Sequence, residues 1–160
     1  WETDKISESL NGQLPDGLKV HKIRQVDLNQ SPLSAMVGAA LYKVLLPNIT
    51  PGLEQALLDL LSAETVLLER KGKKEKKTLN IRPYIYLLSM KKCEDEKGEL
   101  FMLLATGNKG GTRPQEIMSF LPLGDSWGGT KIKIFRKDLF VMDNNQFKTP
   151  EGLSPLEYLE

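Results

Sequence analysis

The stretch that decides the fold is residues 41–61, LYKVLLPNITPGLEQALLDLL, in which an apolar run gives way to a helical pattern. Leu41–Leu46 is a short apolar run of the length typical of a buried strand. Thr50 and Pro51 are residue types that favour the cap and the first turn of a helix. The stretch therefore predicts a strand and then an amphipathic helix that packs on a sheet. The apolar stripe of that helix, at i, i+3, i+4, i+7 and i+8, consists of Leu53, Ala56, Leu57, Leu60 and Leu61.

The segments that follow this helix predict two hairpins. Residues 65–70 and 77–81 read as strands around the charged run RKGKKEKK. Residues 85–93 and 99–106 read as strands around the second charged tip, CEDEKG. Apolar, strand-forming runs on either side of a polar tip are typical of antiparallel pairs.

A helix and a last strand complete the predicted unit. Thr112 is expected to cap the helix, with Gln115 three residues later completing a capping box. Residues 131–141 alternate and read as the last strand. From Leu41 onward the pattern is that of a split βαβ unit. It predicts a ferredoxin-like α+β sandwich with an antiparallel sheet and an inserted basic hairpin.

The first forty residues do not belong to that unit. They predict a helix over residues 3–11, a strand over 18–28 and a short helix over 31–40. We interpret residues 1–40 as a helix-strand-helix lead-in, the remnant of a preceding ferredoxin-like half whose beginning is absent. Residues 41–160 are then the ferredoxin-like domain.

Composition excludes several functional classes. The 160 residues are 40% hydrophobic and 27% charged, with a net charge of +1. No apolar run approaches ~18 residues and no signal peptide is visible, so we expect a cytoplasmic chain without a membrane partner. One cysteine and one histidine leave no internal disulfide and no cysteine-rich metal or iron–sulfur site. We expect no cofactor and no metal, and no motif predicts catalysis by this chain alone.

A glycine-rich loop is the first candidate binding site. It has neither the spacing of a Walker phosphate loop nor that of a dinucleotide loop. Glycines before a helix nevertheless suit an anion, because backbone N–H groups point outward there. The alternative is a turn that needs a positive φ angle at a glycine. The anion or RNA site would consist of Lys109, Gly110, Gly111, Thr112 and Arg113.

The basic hairpin tip is the second candidate. It could hold a nucleic-acid backbone by charge and shape, because it contains no aromatic residue that would stack on a base. The alternative is a solvated tip that keeps a sheet edge from aggregating. The lysines proposed for RNA contact are Lys73, Lys74, Lys76 and Lys77.

Two further residues are candidates for contact with a ligand or partner. Arg82 lies in the segment NIRPY and faces a ligand or pairs with an acid. Trp127 lies in a glycine-rich loop, DSWGG. It is a candidate contact for a partner, and the alternative is partial burial over the sheet.

Five segments carry a resemblance to a known family through their order and spacing. They are LNGQLPDGLKV (10–20), VDLNQSPLSAMVGAALYKVLLP (26–47), NIRPYIYLL (80–88), TGNKGGTRPQEIM (106–118) and SPLEYLE (154–160). Together they resemble a bacterial radical-SAM-linked domain of unknown function, and the resemblance covers nearly all of the chain. That domain is similar to the C-terminal part of a large cobalamin-binding-type radical SAM protein and also occurs as a small protein encoded beside such an enzyme.

The resemblance implies an accessory domain of a radical SAM system, whose iron–sulfur chemistry needs three cysteines that this chain lacks. It also implies that an N-terminal segment present in the family is missing here. Its genomic association suggests an RNA substrate. The expected function is therefore binding of RNA or a polyanion; the alternative is a module that docks on the partner radical SAM enzyme. The positions that match the family pattern are Arg82, Gly107, Gly110, Gly111, Arg113, Pro114 and Glu116.

Overall fold

The computed structural model describes residues 2–25, 27–29, 32–72, 75–107, 110–124, 132–143, 146–149 and 152–159. Contacts divide the chain into two compact units, Trp1–Pro32 and Leu33–Glu160. The division predicted from the sequence, between a lead-in over residues 1–40 and a domain over residues 41–160, stays a prediction. Among the described residues, no helix has both the length and the apolar character needed to cross a membrane.

The described residues of the first unit form one helix, α1 (Thr3–Asn11), as predicted. The strand predicted over residues 18–28 is wrong: its described residues contain no strand. A strand needs a partner for its backbone groups. Here the Asn11 side chain takes that place at one residue. Its amide donates to the Val20 carbonyl at 3.0 Å, and its oxygen accepts from the Val20 N–H at 2.7 Å.

The second unit is a mixed arrangement of helices and antiparallel strands. Its elements are α2 (Leu33–Met36), β1 (Val37–Leu46), α3 (Leu53–Ser62), β2 (Leu67–Lys71), β3 (Lys76–Asn80), β4 (Ile85–Lys92), β5 (Gly98–Ala105), α4 (Pro114–Met118), β6 (Lys133–Asp143) and β7 (Gln146–Lys148), with 3-10 turns at Arg82–Tyr84 and Pro155–Tyr158. A five-stranded sheet has the order β4-β5-β1-β6-β7, and β2 and β3 form a separate pair. All the paired strands run antiparallel, which confirms the predicted combination of helices with an antiparallel sheet.

The central strand β1 begins earlier than predicted. It starts at Val37 rather than Leu41, and the helix predicted over residues 31–40 is limited to Leu33–Met36. Ala39 and Ala40 are fully buried, and Ala39 pairs with Ala105 on one side and Phe140 on the other. Small residues that favour a helix by propensity are therefore in the middle of the sheet, because burial between two strands outweighs propensity.

Helix α3 has the predicted apolar face but a different start. Leu53, Leu57 and Leu60 are buried in the larger core. The residue at the cap is Gly52, with φ of 80°, and not Thr50. The Thr50 hydroxyl instead donates to the Pro122 carbonyl.

Both faces of the five-stranded sheet are covered. The larger core packs α3, α4 and the inner side chains of the β2–β3 hairpin on one face. A smaller core on the other face includes Leu41, Phe101 and Phe140. The ring of Tyr158 meets that of Phe140 edge to face, with 6.0 Å between the ring centroids. The 3-10 turn at Pro155–Tyr158 thus covers the face of the sheet opposite the helices.

Two neighbouring leucines of α3 test the larger core. Leu57 is 6% exposed and Leu58 is 59% exposed. We expect Leu57→Ala to lower the free energy of unfolding by about 2–5 kcal/mol, because it removes buried methyl groups and leaves a cavity. Leu58→Ala, the matched control, should change it by less than about 0.5 kcal/mol. Urea unfolding followed by circular dichroism measures both, and equal losses would contradict the described packing.

Candidate functional site

Arg70 joins two segments that the sequence presented as separate candidates, the hairpin and the glycine-rich loop. Its Nε donates to Glu116 Oε1 at 2.7 Å, and its Nη2 donates to Glu116 Oε2 at 2.8 Å. The same Nη2 donates to the Gly111 carbonyl at 2.7 Å. A two-pronged contact of this kind fixes orientation as well as distance. The β2–β3 hairpin is thereby held against the loop and the start of α4.

Glu116 is the acceptor at the centre of this contact. Besides Arg70, its Oε2 accepts from the Thr112 hydroxyl at 3.0 Å and from the Arg113 N–H at 2.9 Å. The helix cap predicted at Thr112 and Gln115 is therefore displaced by one residue. Arg113 occupies the cap position, because Pro114 takes the first position of the helix, where its missing N–H costs nothing.

The charge states at this contact are set by burial and by hydrogen bonds. Burial alone would raise the pKa of Glu116, but hydrogen bonds from Arg70, Arg113 and Thr112 outweigh it and lower the pKa below 4.5. The hydrogen bond to Glu116 raises the pKa of Arg70. Both groups are therefore charged at neutral pH, and a carboxylate held this way is a weak base.

The glycines of the loop lie where a Cβ atom would be too close to neighbouring atoms. A Cβ at Gly111 would lie 2.4 Å from the Ala105 carbonyl oxygen, a distance that side chains do not tolerate. Gly110 has φ of 107°, and a Cβ there would lie 2.7 Å from the hydroxyl of Tyr84. Backbone packing therefore requires glycine at position 111, and the positive φ angle together with the nearby Tyr84 ring favours it at position 110. Their presence does not by itself indicate a phosphate site.

A cleft of about 390 Å³ lies between β2 and the start of α4. Its lining includes Lys71 and Arg113, which are exposed, and the paired Arg70 and Glu116. Lys77 is also exposed and lies directly across the hairpin from Arg70. The structure therefore joins the predicted residues Gly111, Thr112 and Arg113 to Arg70 and Glu116, and so to the hairpin whose second strand carries Lys76 and Lys77.

Arg82 lies in a different contact. Its Nη1 donates to the Ile85 carbonyl at 2.9 Å and its Nη2 to the Leu61 carbonyl at 2.6 Å. Leu61 is in the last turn of α3, so the guanidinium satisfies a carbonyl at a helix end. These partners are carbonyls and not the acid that the sequence suggested. A ligand-binding role for Arg82 stays a prediction.

Four predicted site residues lie outside the described part of the chain. They include both tip lysines of the hairpin, the lysine of the glycine-rich loop and the tryptophan proposed for partner contact. The roles assigned to them stay predictions. These residues are Lys73, Lys74, Lys109 and Trp127.

The sequence pattern did not reveal the pairing of Arg70 with Glu116. The two residues are 46 positions apart, and no local spacing links them. The only signal was the position of Glu116 in the family pattern, three residues after the cap. In the described ranges, no group of three or more histidine, cysteine or acidic residues could hold a metal ion.

Comparison with known families identifies the family to which the chain belongs. Residues 1–114 match a family model described as an uncharacterised protein conserved in bacteria (DUF2344). This confirms the bacterial domain of unknown function in the resemblance drawn from the sequence. No curated protein and no solved structure matches the chain.

The pairing of Arg70 with Glu116 predicts a pH-dependent contribution to stability. We expect Glu116→Gln to lower the free energy of unfolding at pH 7 by about 1–2 kcal/mol, since it weakens charged, partly exposed hydrogen bonds. Folding lowers the pKa of Glu116 from its ordinary value of 4.5. This contribution to stability is therefore complete at a pH above 4.5 and is lost as the pH falls through the lowered pKa of the folded state. Urea unfolding of both proteins between pH 7 and about pH 3 measures the difference, which should shrink on acidification.

The exposed pair of Glu69 with Lys76, 3.1 Å apart, provides the matched control. Glu69→Gln should cost less than about 0.5 kcal/mol at any pH, because solvent screens such pairs. Equal effects of Glu69→Gln and Glu116→Gln would show that the Arg70 contact contributes no more than a surface pair.

The steric role of Gly111 gives a second test of the loop. Gly111→Ala should lower the free energy of unfolding by about 1–3 kcal/mol, because the added Cβ meets backbone atoms that cannot easily move. Gly38 is the control, since a Cβ there meets nothing within 4 Å. Thermal unfolding should show a clear decrease in Tm for Gly111→Ala alone, and similar Tm values for the two variants would refute the close approach.

Proposed function

We propose that this chain, which belongs to that family of uncharacterised proteins conserved in bacteria, is a cytoplasmic accessory domain of a radical SAM system that binds RNA or another polyanion. The link to a radical SAM enzyme rests on the resemblance of the sequence segments. The polyanion site is the cleft between β2 and α4 together with the adjoining hairpin. In this proposal the domain binds the substrate and the partner enzyme supplies the chemistry.

A ferredoxin-like topology is part of the proposal. The order β1, α3, β4, β5, α4, β6 along the chain is that of a split βαβ unit. The spatial order β4-β5-β1-β6 supports it, since β5 lies between β1 and β4. The β2–β3 hairpin is then an insertion between α3 and β4 that carries basic residues to one place.

One observation carries the binding proposal: among the residues that the structure describes, the cations at the cleft exceed the anions that could neutralise them. Glu116 is paired with Arg70, and Glu69 is paired with Lys76. Three further cations are exposed, two in the lining of the cleft and one on β3. The turn of the hairpin adds one exposed acid, Glu75, which is fewer than the three cations. A concave surface with excess positive charge suits a phosphate backbone. The three cations are Lys71, Lys77 and Arg113.

The pairing of strands in the hairpin supports the same proposal. Lys71 lies directly opposite Lys76, and Arg70 lies directly opposite Lys77. Like charges that face each other across two strands destabilise the pair. Glu69 and Glu116 already neutralise one member of each pair, and a bound polyanion would neutralise the other, so its binding and the order of the hairpin should reinforce each other.

Salt dependence provides the decisive experiment. A variant with Lys71→Gln, Lys77→Gln and Arg113→Gln should bind fluorescently labelled bacterial tRNA more weakly in an anisotropy titration. The slope of log affinity against log salt should fall by about 0.7–0.9 for each phosphate that the variant can no longer neutralise.

A second triple variant controls for net charge. Lys133→Gln, Arg136→Gln and Lys137→Gln remove the same charge from exposed positions of β6. This protein should keep the affinity and slope of the unmodified chain. Equal loss in the two variants would mean that net charge alone attracts the RNA, and unchanged binding in both would refute the proposed site.

Docking on the partner enzyme is the second candidate function, and a separate observation favours it. Leu67 and Phe120 are large apolar side chains that remain 62% and 37% exposed beside a second cavity of about 340 Å³. Apolar surface of this kind is typical of protein interaction sites. Docking of this type should persist at salt concentrations that release RNA.

A further inference from the structure

Strand β2 has one paired edge and one open edge. Two bonds of the hairpin ladder establish which is which: the Ile81 N–H donates to the Val66 carbonyl at 2.8 Å, and the Gly72 N–H donates to the Glu75 carbonyl at 2.9 Å. Because hydrogen-bonded pairs alternate in an antiparallel ladder, the even-numbered residues of β2 face β3. The odd-numbered residues therefore direct their backbone N–H and C=O groups away from β3.

Those outward groups belong to Leu67, Glu69 and Lys71. Within the described ranges, no hydrogen bond engages the backbone of these three residues on that side. An open row of donors and acceptors is the template on which an extended peptide adds as a new strand. β2 therefore offers an edge of three residues with alternating donors and acceptors.

Both cavities lie along this same edge. The cavity of about 340 Å³ is next to Val66 and Leu67, and the cleft of about 390 Å³ is next to Leu68 through Lys71. Together they leave room beside the whole length of β2. An added strand would lie about 4.8 Å from β2, with its side chains directed into these two spaces.

The two ends of the edge differ in chemistry. At the Leu67 end the cavity is bordered by Ala56, Leu60 and Phe120, which are apolar, and by the carboxylate of Asp59. This end accepts an apolar side chain and disfavours an acidic one. At the other end Lys71 and Arg113 are exposed, while Glu116 is occupied by Arg70. That end favours a carboxylate.

We propose that the open edge of β2 binds an extended segment of a partner protein by strand addition, antiparallel to β2, with an acidic residue opposite Lys71 and Arg113 followed by an apolar residue at the Leu67 end. The two contact points on β2 are separated by about 13 Å, the length of four extended residues. Backbone pairing supplies affinity, and the two cavities supply specificity.

This proposal does not rest on RNA binding, although the peptide and the RNA would share Lys71 and Arg113 and would therefore compete for the cleft. Backbone pairing and apolar contact are insensitive to salt, whereas phosphate contacts weaken steeply as salt rises. A second copy of this chain is a less suitable occupant. Two β2 edges paired antiparallel would bring Leu67 of each copy to the end of the other at which Lys71 and Arg113 are exposed, so an apolar side chain would lie where a carboxylate is favoured.

Selection from a displayed library of random peptides, carried out at about 0.5 M salt to suppress charge-only binding, is the test. Peptides with an acidic residue that precedes an apolar one by about four positions should be enriched. Glu69→Pro removes one outward N–H without touching the ladder to β3 and should weaken their binding about tenfold or more. Glu69→Ala, which keeps that N–H, should retain binding.

Thr78→Pro is the matched control. Thr78 lies directly opposite Glu69, and its N–H points outward from the other edge of the hairpin, so this variant should bind the peptides normally.

If Glu69→Pro does not fold, hydrogen exchange replaces it: the selected peptide should protect the backbone amides of Leu67, Glu69 and Lys71. The proposal is overturned if no such peptides are enriched or if Glu69→Pro binds them equally. A dimer that Glu69→Pro dissociates, with no peptide selected, would overturn it in favour of a second copy.

Discussion

The contact of Arg70 with Glu116 and Gly111 is the constraint on which the arrangement of the candidate site depends. A two-stranded hairpin is not stable by itself in water, and here Leu68 and Leu79 pack on the core while Arg70 holds the charged half. One guanidinium thereby joins the hairpin, the loop after β5 and the first turn of α4. Because Glu116 also accepts from Thr112 and Arg113, the loop and the helix start are ordered by the same carboxylate.

This contact changes the meaning of the glycine-rich loop. Gly111 is required by the close approach of the Ala105 carbonyl, and Gly110 is favoured by its positive φ angle and the nearby Tyr84 ring, so the glycines are explained without a ligand. The close approach in turn lets the Gly111 carbonyl reach Arg70. The loop is therefore a structural corner, and the chemistry that it offers to a partner comes from the cations and the open strand that it holds beside it.

Much of the second unit followed from local pattern. Helix α3 and strands β4 and β5 could be predicted because the periodicity of their apolar residues matches the residues that are buried. The start of β1 was missed because Ala39 and Ala40 favour a helix by propensity and become strand only between two neighbours. Residues 18–28 alternate in the sequence, but those that the structure describes form no strand, because no neighbouring strand pairs with them. The Arg70 contact bridges 46 residues, a distance over which a single sequence carries no spacing rule.

The second face of the sheet has a consequence for the order of folding. β1 pairs with both β5 and β6, and Phe147 and Tyr158, which follow β6 in the chain, pack on the small core that contains Phe101 and Phe140. Contacts between distant parts of the chain form slowly, because loop closure precedes them. During synthesis this face is completed only after Phe147 and Tyr158 have left the ribosome. Until then the nascent sheet exposes Phe101 and Phe140, and transiently exposed apolar surface of this kind is what chaperones bind.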